Sequence, residues 1–240
     1  MMKTSIDDLR VKIFADAAEL DGMLELYSQP FVKGFTTNPT LMNKAGIRDY
    51  EGFAHQVLAA IPDRPISFEV FSDEFSEMER QAMKIAGWGQ HVYVKIPVTN
   101  TRGESAAPLV RKLSRAGVRL NVTALLPLDQ VRTIVDALDP ATPSCISVFA
   151  GRIADTGRDP VPVMTEALRM MSGLPRCELI WASPRELLNI FQADEIGCHI
   201  ITVTPDILKK LSNVGRGLDE FSLDTVKMFH RDATQAGFSL

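Results

Sequence analysis

Eight short apolar runs, each followed by a longer segment of helical period, are the feature of this sequence that most limits its fold. Several runs are apolar at almost every position, which is typical of parallel strands covered on both faces. Alternation of this kind predicts an α/β protein, either a (β/α)8 barrel or a doubly wound open sheet. The runs span residues 11–16, 32–35, 66–71, 91–96, 118–123, 145–149, 177–182 and 199–203.

The segments between the runs carry apolar stripes spaced as on one face of a helix. Gly87 and Gly117 follow two of these stripes, where a left-handed residue is expected to end the helix. The open sheet is disfavoured because no glycine-rich phosphate motif follows the first run. With no linker or internal repeat, we predict one (β/α)8 TIM barrel domain over residues 1–240. The last helix, at roughly 222–236, is expected to pack on the barrel or on a neighbouring subunit.

Composition excludes several classes of function. The 240 residues are 45% hydrophobic and 23% charged, and the net charge of −4 comes without a basic stripe, which argues against a nucleic-acid partner. The three cysteines and four histidines are scattered without metal-ligand spacing, so we expect neither a metal nor another cofactor. The first ten residues contain no apolar signal segment and no membrane span is visible, so a cytoplasmic protein is expected.

Polar or otherwise distinctive residues stand at or just beyond the ends of the predicted strands. In a barrel of this kind, chemistry gathers at the carboxyl ends of the strands. Each residue taken alone has a structural explanation, such as a helix cap, a turn or a surface ion pair. Ser183, before Pro184, is expected to cap a helix amino terminus. The candidate set is Asp16, Thr36, Asn38, Glu69, Lys95, Thr123, Phe149, Arg152, Ser183 and Arg185.

Lys95 is the candidate that is hardest to explain structurally. It interrupts the apolar segment 92–98, where a parallel strand should be buried on both sides. Lysine is seldom buried without a partner or a purpose, and burial favours the neutral amine that attacks carbonyl carbons. The alternative is a lysine at a strand end whose amine reaches solvent. The segment alone leaves both interpretations open.

Three segments together resemble signatures of the transaldolase family, small transaldolase and fructose-6-phosphate aldolase subgroup. Thr36-Thr37-Asn38-Pro39-Thr40 resembles its Thr-Thr-Asn-Pro-Ser motif, and Val94-Lys95-Ile96-Pro97 resembles its lysine strand. Phe149-Ala150-Gly151-Arg152-Ile153 resembles its Phe-Val-Gly-Arg-Ile segment. The order and spacing of these motifs match over nearly the whole chain. The resemblance implies a barrel with a Schiff-base lysine on the fourth strand, where the count of runs puts Lys95.

The same resemblance implies a role for each candidate. Lys95 would form the imine with the ketose, Asp16 would handle the proton of the C4 hydroxyl, and Glu69 with Thr123 would hold a water. Thr36 and Asn38 would orient the dihydroxyacetone hydroxyls. Arg152, Ser183 and Arg185 would bind the sugar phosphate, since helix amino termini and guanidinium groups both bind phosphate oxygens. Small members of the family form homo-oligomers, often decamers, through the last helix.

Two positions favour a transaldolase over an aldolase. In the aldolase subgroup, Gln replaces Glu69 and Tyr replaces Phe149. Ser183-Pro184-Arg185 departs from the usual Ser-Phe-Arg pattern, so the identity of the sugar phosphate stays open. The alternatives are a fructose-6-phosphate aldolase, a transaldolase-like enzyme of a specialised sugar pathway, a non-catalytic sugar-phosphate-binding barrel, and an isomerase barrel without a covalent lysine.

Overall fold

The computed structural model describes residues 6–238 and contains, within that range, a closed barrel of eight parallel strands. Each strand pairs with the next in chain order, and β8 closes the barrel by pairing with β1. The (β/α)8 prediction is therefore confirmed and the open sheet is excluded. The strands are β1 Lys12–Asp16, β2 Val32–Thr36, β3 Ile66–Glu69, β4 Val92–Pro97, β5 Leu120–Leu125, β6 Ser144–Val148, β7 Cys177–Trp181 and β8 Ile200–Val203.

Helices connect the strands and cover the outside of the barrel. Short 3-10 helices lie at Ile6–Asp8, Met171–Gly173 and Lys209–Asn213. The α-helices are α1 Leu20–Tyr27, α2 Pro39–Lys44, α3 Tyr50–Ala60, α4 Phe75–Ala86, α5 Ala107–Arg115, α6 Leu128–Val135, α7 Ala150–Ala154, α8 Val161–Met170, α9 Leu188–Glu195, α10 Pro205–Leu208 and α11 Leu218–Ala236.

The two glycines expected to end helices differ in conformation. Gly117 has φ +81°, which confirms its left-handed prediction. Gly87 has φ −74°, so that prediction is wrong. The chain continues in a right-handed turn there, because the backbone N–H groups of Gly87 and Trp88 donate to the carbonyls of Lys84 and Ile85.

Successive side chains along each strand point alternately out of and into the barrel, and they form two separate apolar regions. Those pointing outward, such as Phe35, Phe68 and Trp181, are buried against the helices in the main core. Those pointing inward form a small cluster inside the barrel that includes Phe14 and Ile180. Gly34 leaves room for this cluster, since a Cβ there would lie 2.6 Å from Cζ of Phe14.

Above the inner cluster, three polar side chains from β3, β5 and β6 are joined by hydrogen bonds inside the barrel. The Asn121 amide donates to Oγ of Ser67 at 3.0 Å, and Oγ of Ser147 donates to the Asn121 carbonyl oxygen at 2.7 Å. All three residues are buried. Buried polar groups that satisfy each other in this way hold strands in register. They form a rigid floor for whatever lies at the carboxyl ends of the strands.

The last helix, α11, stands apart from the rest of the described chain. It begins at Leu218, about one turn before the expected start, and none of its residues is buried within residues 6–238. The single chain therefore does not bury this helix on the barrel, and packing on a neighbouring subunit stays a prediction. Its apolar side chains are at least partly exposed, including Phe221, Val226 and Phe229. Among the described helices, none combines the length and apolar character required to cross a membrane.

Candidate active site

A cavity of about 620 Å³ opens at the carboxyl ends of the strands. Alternate residues of the parallel strands point into the barrel, so side chains at the strand ends converge there. All ten residues singled out from the sequence line this cavity: Asp16, Thr36, Asn38, Glu69, Lys95, Thr123, Phe149, Arg152, Ser183 and Arg185. The structure therefore brings the whole candidate set together.

Lys95 points into the barrel from β4 and is 6% exposed. Its Nζ donates to the backbone carbonyl of Thr37 at 2.8 Å and lies 3.1 Å from Oε2 of Glu69. Glu69 and Lys95 are direct neighbours in the register of β3 and β4, which fixes this pairing. The amine does not extend to solvent, so the alternative of a solvent-reaching lysine is wrong. A buried amine beside a carboxylate can exchange a proton with it and attack a carbonyl carbon.

The backbone of Glu69 is held in place by the side chain of Tyr50. The hydroxyl of Tyr50, on α3, donates to the carbonyl of Glu69 and accepts from its N–H, both at 2.8 Å. Burial raises the pKa of the Tyr50 phenol. Tyr50 in turn packs edge-on against Phe68, within an aromatic group that includes Trp88. The Glu69 carboxylate is therefore presented to Lys95 from a fixed main chain.

Asp16, at the end of β1, is partly buried and surrounded by polar groups. The Thr36 hydroxyl donates to its Oδ1 at 2.8 Å, and the Asn38 amide donates to its Oδ2 at 3.2 Å. Burial raises the pKa of the Asp16 carboxyl, while the charge of Lys95 and the hydrogen bonds from Thr36 and Asn38 oppose that rise. A carboxyl in this environment can serve as acceptor and donor of a proton in turn.

Asn38 has a structural role as well as its place in the cavity. Its carbonyl oxygen accepts from the backbone N–H of Leu41 at 2.9 Å, which caps α2, and Pro39 occupies the first turn. Its amide is thereby directed toward Asp16. Asn38 can therefore be both a helix cap and a site residue, because its amide oxygen binds the helix backbone while its amide nitrogen donates to Asp16.

The Thr123 hydroxyl is buried and forms no hydrogen bond within the described part of the protein. A buried hydroxyl left without a partner is costly, and in a cavity it is available to a ligand group. The chain turns sharply just after it, since Ala124 has φ +65°. The Thr123 hydroxyl can therefore donate or accept a hydrogen bond with a group inside the cavity.

Arg152 lies on α7 at the rim, with Cζ 5.6 Å from the centroid of the Phe149 ring. An aromatic face at this distance attracts the guanidinium group and orients it. Arg152 is exposed, and no carboxylate among residues 6–238 forms a salt bridge with it. Its donors can therefore bind an anionic group at the rim.

The loop after β7 departs from expectation. Ser183 does not cap a helix, because α9 begins at Leu188 and Ser183 itself has φ +59°. Its carbonyl lies against Gly151 so closely that a Cβ on the glycine would be 1.5 Å from that oxygen. The packing of this loop against α7 accompanies the left-handed conformation of Ser183. Anion binding by a serine-capped helix is therefore not available here.

Arg185 is already engaged by a carboxylate. Its Nε donates to Oδ1 of Asp155 at 3.0 Å, and its Nη2 donates to Oδ2 at 2.5 Å. Its backbone N–H donates to Oδ1 of Asn189. Both side chains of the ion pair are about half exposed, so a phosphate can compete for the guanidinium group. Arg152 can thus bind an anion directly, whereas Arg185 must first give up its ion pair with Asp155.

The polar lining residues that were missed from the sequence include Lys44, Ser147, Thr202 and Thr204. Thr202 does carry a signal in the sequence, because it interrupts the apolar run 199–203 as Lys95 interrupts its own strand. Lys44 ends a helix and gives no signal of its own. Among residues 6–238, no group of three or more His, Cys, Asp or Glu side chains could hold a metal ion.

The fold and the site define a parallel (β/α)8 barrel with a buried lysine beside a carboxylate at the catalytic end. Comparisons with known proteins agree with this class. The model of the Transaldolase/Fructose-6-phosphate aldolase family matches residues 13–240, and the chain belongs to that family.

Relatives of similar length support the assignment. A protein of Dehalococcoides mccartyi named "Probable transaldolase" is 33% identical over 202 residues, covering 84% of this chain and 90% of its own. A protein of the same name from Syntrophobacter fumaroxidans is 32% identical, covering 91% and 98%. The solved structure of KGPDC from Streptococcus mutans shares the fold, with a TM-score of 0.59 at 11% identity over 87% of this chain and 95% of that one.

Proposed function

We propose that the protein is a class I transaldolase, a transferase that moves a dihydroxyacetone unit from a ketose phosphate such as fructose 6-phosphate to an aldose phosphate. The observation that carries the proposal is the buried Lys95 amine, 3.1 Å from Glu69 and 2.8 Å from a backbone carbonyl, in a cavity lined by Asp16 and Thr123. This reaction belongs to sugar-phosphate metabolism of the pentose phosphate type, and we propose that it takes place in the cytoplasm.

The positions of these groups support the following reaction. The Lys95 amine adds to the C2 carbonyl of the donor, and loss of water gives the protonated imine. Asp16 then takes the proton of the C4 hydroxyl, the C3–C4 bond breaks, and its electron pair moves into the imine to give an enamine. The aldose product leaves. Carbon 3 of the enamine attacks the acceptor aldehyde, Asp16 returns the proton to the new hydroxyl, and water hydrolyses the imine.

Proton transfers at the imine nitrogen fall to Glu69 and Thr123. Glu69 already contacts Nζ of Lys95, and Thr123 has a buried hydroxyl free to hold the water that adds or leaves. The Asn38 amide, directed into the cavity beside Asp16, is suited to orient the donor hydroxyls. Thr36 is 2% exposed and hydrogen-bonded to Asp16, so its influence on the substrate is exerted through that carboxyl.

The sugar phosphate is assigned to the rim arginines. Arg152 is oriented by Phe149, exposed, and close to the loop that carries Ser183 and Arg185. Arg185 would exchange Asp155 for phosphate oxygens when substrate binds. Ser183 would contribute through its side chain, since its helix-capping role does not occur.

Fructose-6-phosphate aldolase activity is the second candidate function. An aldolase protonates the enamine and hydrolyses it, whereas a transaldolase keeps it until the acceptor arrives. Phe149 lines the cavity without a hydroxyl, which withholds a proton donor from the intermediate. The direct test measures release of glyceraldehyde 3-phosphate from fructose 6-phosphate with and without erythrose 4-phosphate. Release that requires erythrose 4-phosphate supports the transferase, while equal release in its absence would establish the aldolase.

Replacing both discriminating residues is expected to change the product partition. In the double variant Glu69→Gln, Phe149→Tyr, the added phenol supplies a proton donor and the new amide carries no charge beside Lys95. We expect the ratio of hydrolysis to transfer to rise by about tenfold, a change of about 1.4 kcal/mol between the two barriers. Product analysis by chromatography with and without acceptor measures the ratio. Phe149→Leu, which adds no hydroxyl, is the control and should leave the ratio unchanged; an unchanged ratio in the double variant would contradict the assignment.

We propose further that the protein is a homo-oligomer in which α11 packs on a neighbouring subunit, and the resemblance to its family suggests a decamer. The 19-residue helix buries none of its residues in the single chain, yet it carries Leu223, Val226 and Phe229 with about half or more of each side chain exposed. In proteins, most of the stability of a helix comes from the packing of its apolar face on a neighbouring element. A symmetric assembly would cover that face.

The oligomer is expected to dissociate when the apolar face of α11 carries charge. Phe229→Glu should place an unpaired carboxylate in the interface, which costs several kcal/mol for each subunit contact. Sedimentation velocity should then show a smaller species than the wild type. Met83→Glu is the matched control, since Met83 is also an exposed apolar residue but lies on α4. A monomeric wild type, or an assembly that survives Phe229→Glu, would contradict the proposal.

A further inference from the structure

Thr202 is a buried hydroxyl that none of the assigned roles uses. It lies on β8, 7% exposed, and its Oγ1 is 2.5 Å from Oγ1 of Thr36. Thr36 in turn is hydrogen-bonded to Oδ1 of Asp16 at 2.8 Å. Three side chains from β8, β2 and β1 therefore form one chain of hydrogen bonds that ends on the carboxyl of Asp16.

The number of protons available fixes which group donates and which accepts in this chain for each protonation state of Asp16. Each threonine hydroxyl has one proton to donate and can accept through its oxygen. When Asp16 is a carboxylate it can only accept, so the Thr36 proton points at it. The Thr36 oxygen must then accept from Thr202, and Thr202 acts as a donor.

When Asp16 is a carboxylic acid, the chain can reverse. The acid proton is donated to the Thr36 oxygen, and the proton of Thr36 turns to Oγ1 of Thr202, which accepts it. A hydroxyl at position 202 fits both arrangements because it can donate and accept. An apolar side chain there would leave the Thr36 proton without an acceptor in the second arrangement, at the cost of an unsatisfied buried donor.

We propose that Thr202 is a positioning residue that, through Thr36, holds Asp16 in both of its protonation states and stabilises the acid form. This inference rests on the proposed proton-transfer role of Asp16. In the transfer reaction, Asp16 carries a proton from the time the C3–C4 bond breaks until the acceptor aldehyde receives it. The reversed chain supports the acid during that interval. The burial that raises the pKa of Asp16 acts in the same direction.

Other groups that face Asp16 come from different elements and are untouched by a change at position 202. The nearest charge is that of Lys95, on β4. The remaining charged residues of the cavity are Glu69 on β3, Lys44 on α2, Arg152 on α7 and Arg185 in the loop after β7. A change in pH dependence on replacing Thr202 would therefore report on the hydrogen-bond chain.

The test compares Thr202→Val with Thr202→Ser in the full-length enzyme. Valine has the shape of threonine without the hydroxyl, whereas serine retains it. For Thr202→Val, we expect kcat with fructose 6-phosphate and erythrose 4-phosphate to fall by about tenfold, as follows from one unsatisfied hydrogen bond. The pH at which kcat falls on the acid side should drop by about one unit, because the acid form of Asp16 loses support. Thr202→Ser should behave as the wild type.

Borohydride trapping separates the failure of this inference from failure of the proposed function. All three proteins should give the same adduct on Lys95, since imine formation does not require the chain from β8. If the wild type gives no adduct, the proposed function fails. If the adduct forms but Thr202→Val keeps the wild-type pH profile, or Thr202→Ser shifts it equally, the role of Thr202 is overturned. Thermal unfolding of each variant identifies any loss due to instability.

Discussion

Replacing Lys95 by methionine is expected to abolish imine formation and to leave the barrel folded. Incubation with fructose 6-phosphate and borohydride, followed by mass spectrometry, should show an adduct on Lys95 of the wild type and none on the variant. Turnover should fall by about 10⁴- to 10⁶-fold, as expected when a covalent nucleophile is removed. Methionine fills most of the space of the lysine stem, so we expect the barrel to remain closed around it.

The variant leaves Glu69 without its ion pair, and that loss has a limited effect on the fold. Its side chain is 17% exposed and so remains partly hydrated, and its backbone is held by Tyr50 independently of Lys95. Circular dichroism and thermal unfolding should show a native fold with a modest change in Tm. Lys44→Met is the matched control: this lysine lines the same cavity and should leave the Lys95 adduct intact at saturating donor. Measurable turnover by Lys95→Met would show that another group is the nucleophile.

Asp16→Asn is expected to stop the reaction at a later step. The amide cannot take the proton of the C4 hydroxyl, so kcat should fall by about 10²- to 10⁴-fold, the usual contribution of a general base. Imine formation on Lys95 should persist, because Glu69 and Thr123 are unchanged. Single-turnover experiments should therefore show the borohydride adduct without release of glyceraldehyde 3-phosphate. An enzyme that lost both the adduct and the product would place Asp16 in imine formation instead.

The same variant is expected to be more stable than the wild type at neutral pH. Burial raises the pKa of Asp16 in the folded state above its ordinary value of 3.8. The folded state therefore binds this proton more tightly than the unfolded state does. The free energy of unfolding decreases as the pH rises from the ordinary pKa of the unfolded state through the raised pKa of the folded state. Asp16→Asn removes this penalty, so its advantage in urea unfolding should appear at pH 7 and vanish in acid below the ordinary value. No advantage at pH 7 would contradict the burial argument.

Asp194 provides the matched control, because it is a buried aspartate with a structural role. It is 4% exposed, and its Oδ1 accepts from the backbone N–H groups of Arg10 and Val11 ahead of β1. Asp194→Asn weakens these charge-assisted bonds. We expect it to lower the free energy of unfolding while the turnover of the folded enzyme stays close to that of the wild type. The two substitutions should thus change the free energy of unfolding in opposite directions, and only Asp16→Asn should lower turnover.

The fold could be predicted from the sequence because each strand and helix has its own period of apolar residues. The position of Lys95 followed from the count of strands, whereas the flanking apolar residues left its burial open until the closed barrel decided it. Asn38 was expected to be either a turn residue or a site residue; its place in the cavity could be predicted from its motif, whereas its capping of α2 is seen only in the structure. Local pattern thus accounts for half of the twenty residues that line the cavity.

The features that could not be predicted depend on contacts between distant parts of the chain. Ser183 looked like a helix cap, yet its conformation accompanies close packing against Gly151, which lies on another helix. Arg185 looked like a free anion ligand, but Asp155 lies opposite it. Tyr50 holds Glu69 from α3, and nothing in its own segment indicates this. Such pairings are set by the closed barrel, which no short window of sequence contains.

The contact between Gly151 and the Ser183 carbonyl has a consequence for altering substrate preference. The loops after β6 and β7 touch too closely for either to shift alone, so Arg152 and Arg185 are carried on what is mechanically one unit. Substitutions in the two loops should therefore combine non-additively, as is usual for residues that share a contact. Libraries that vary one loop at a time would discard the combinations that work, and the two loops should be redesigned together.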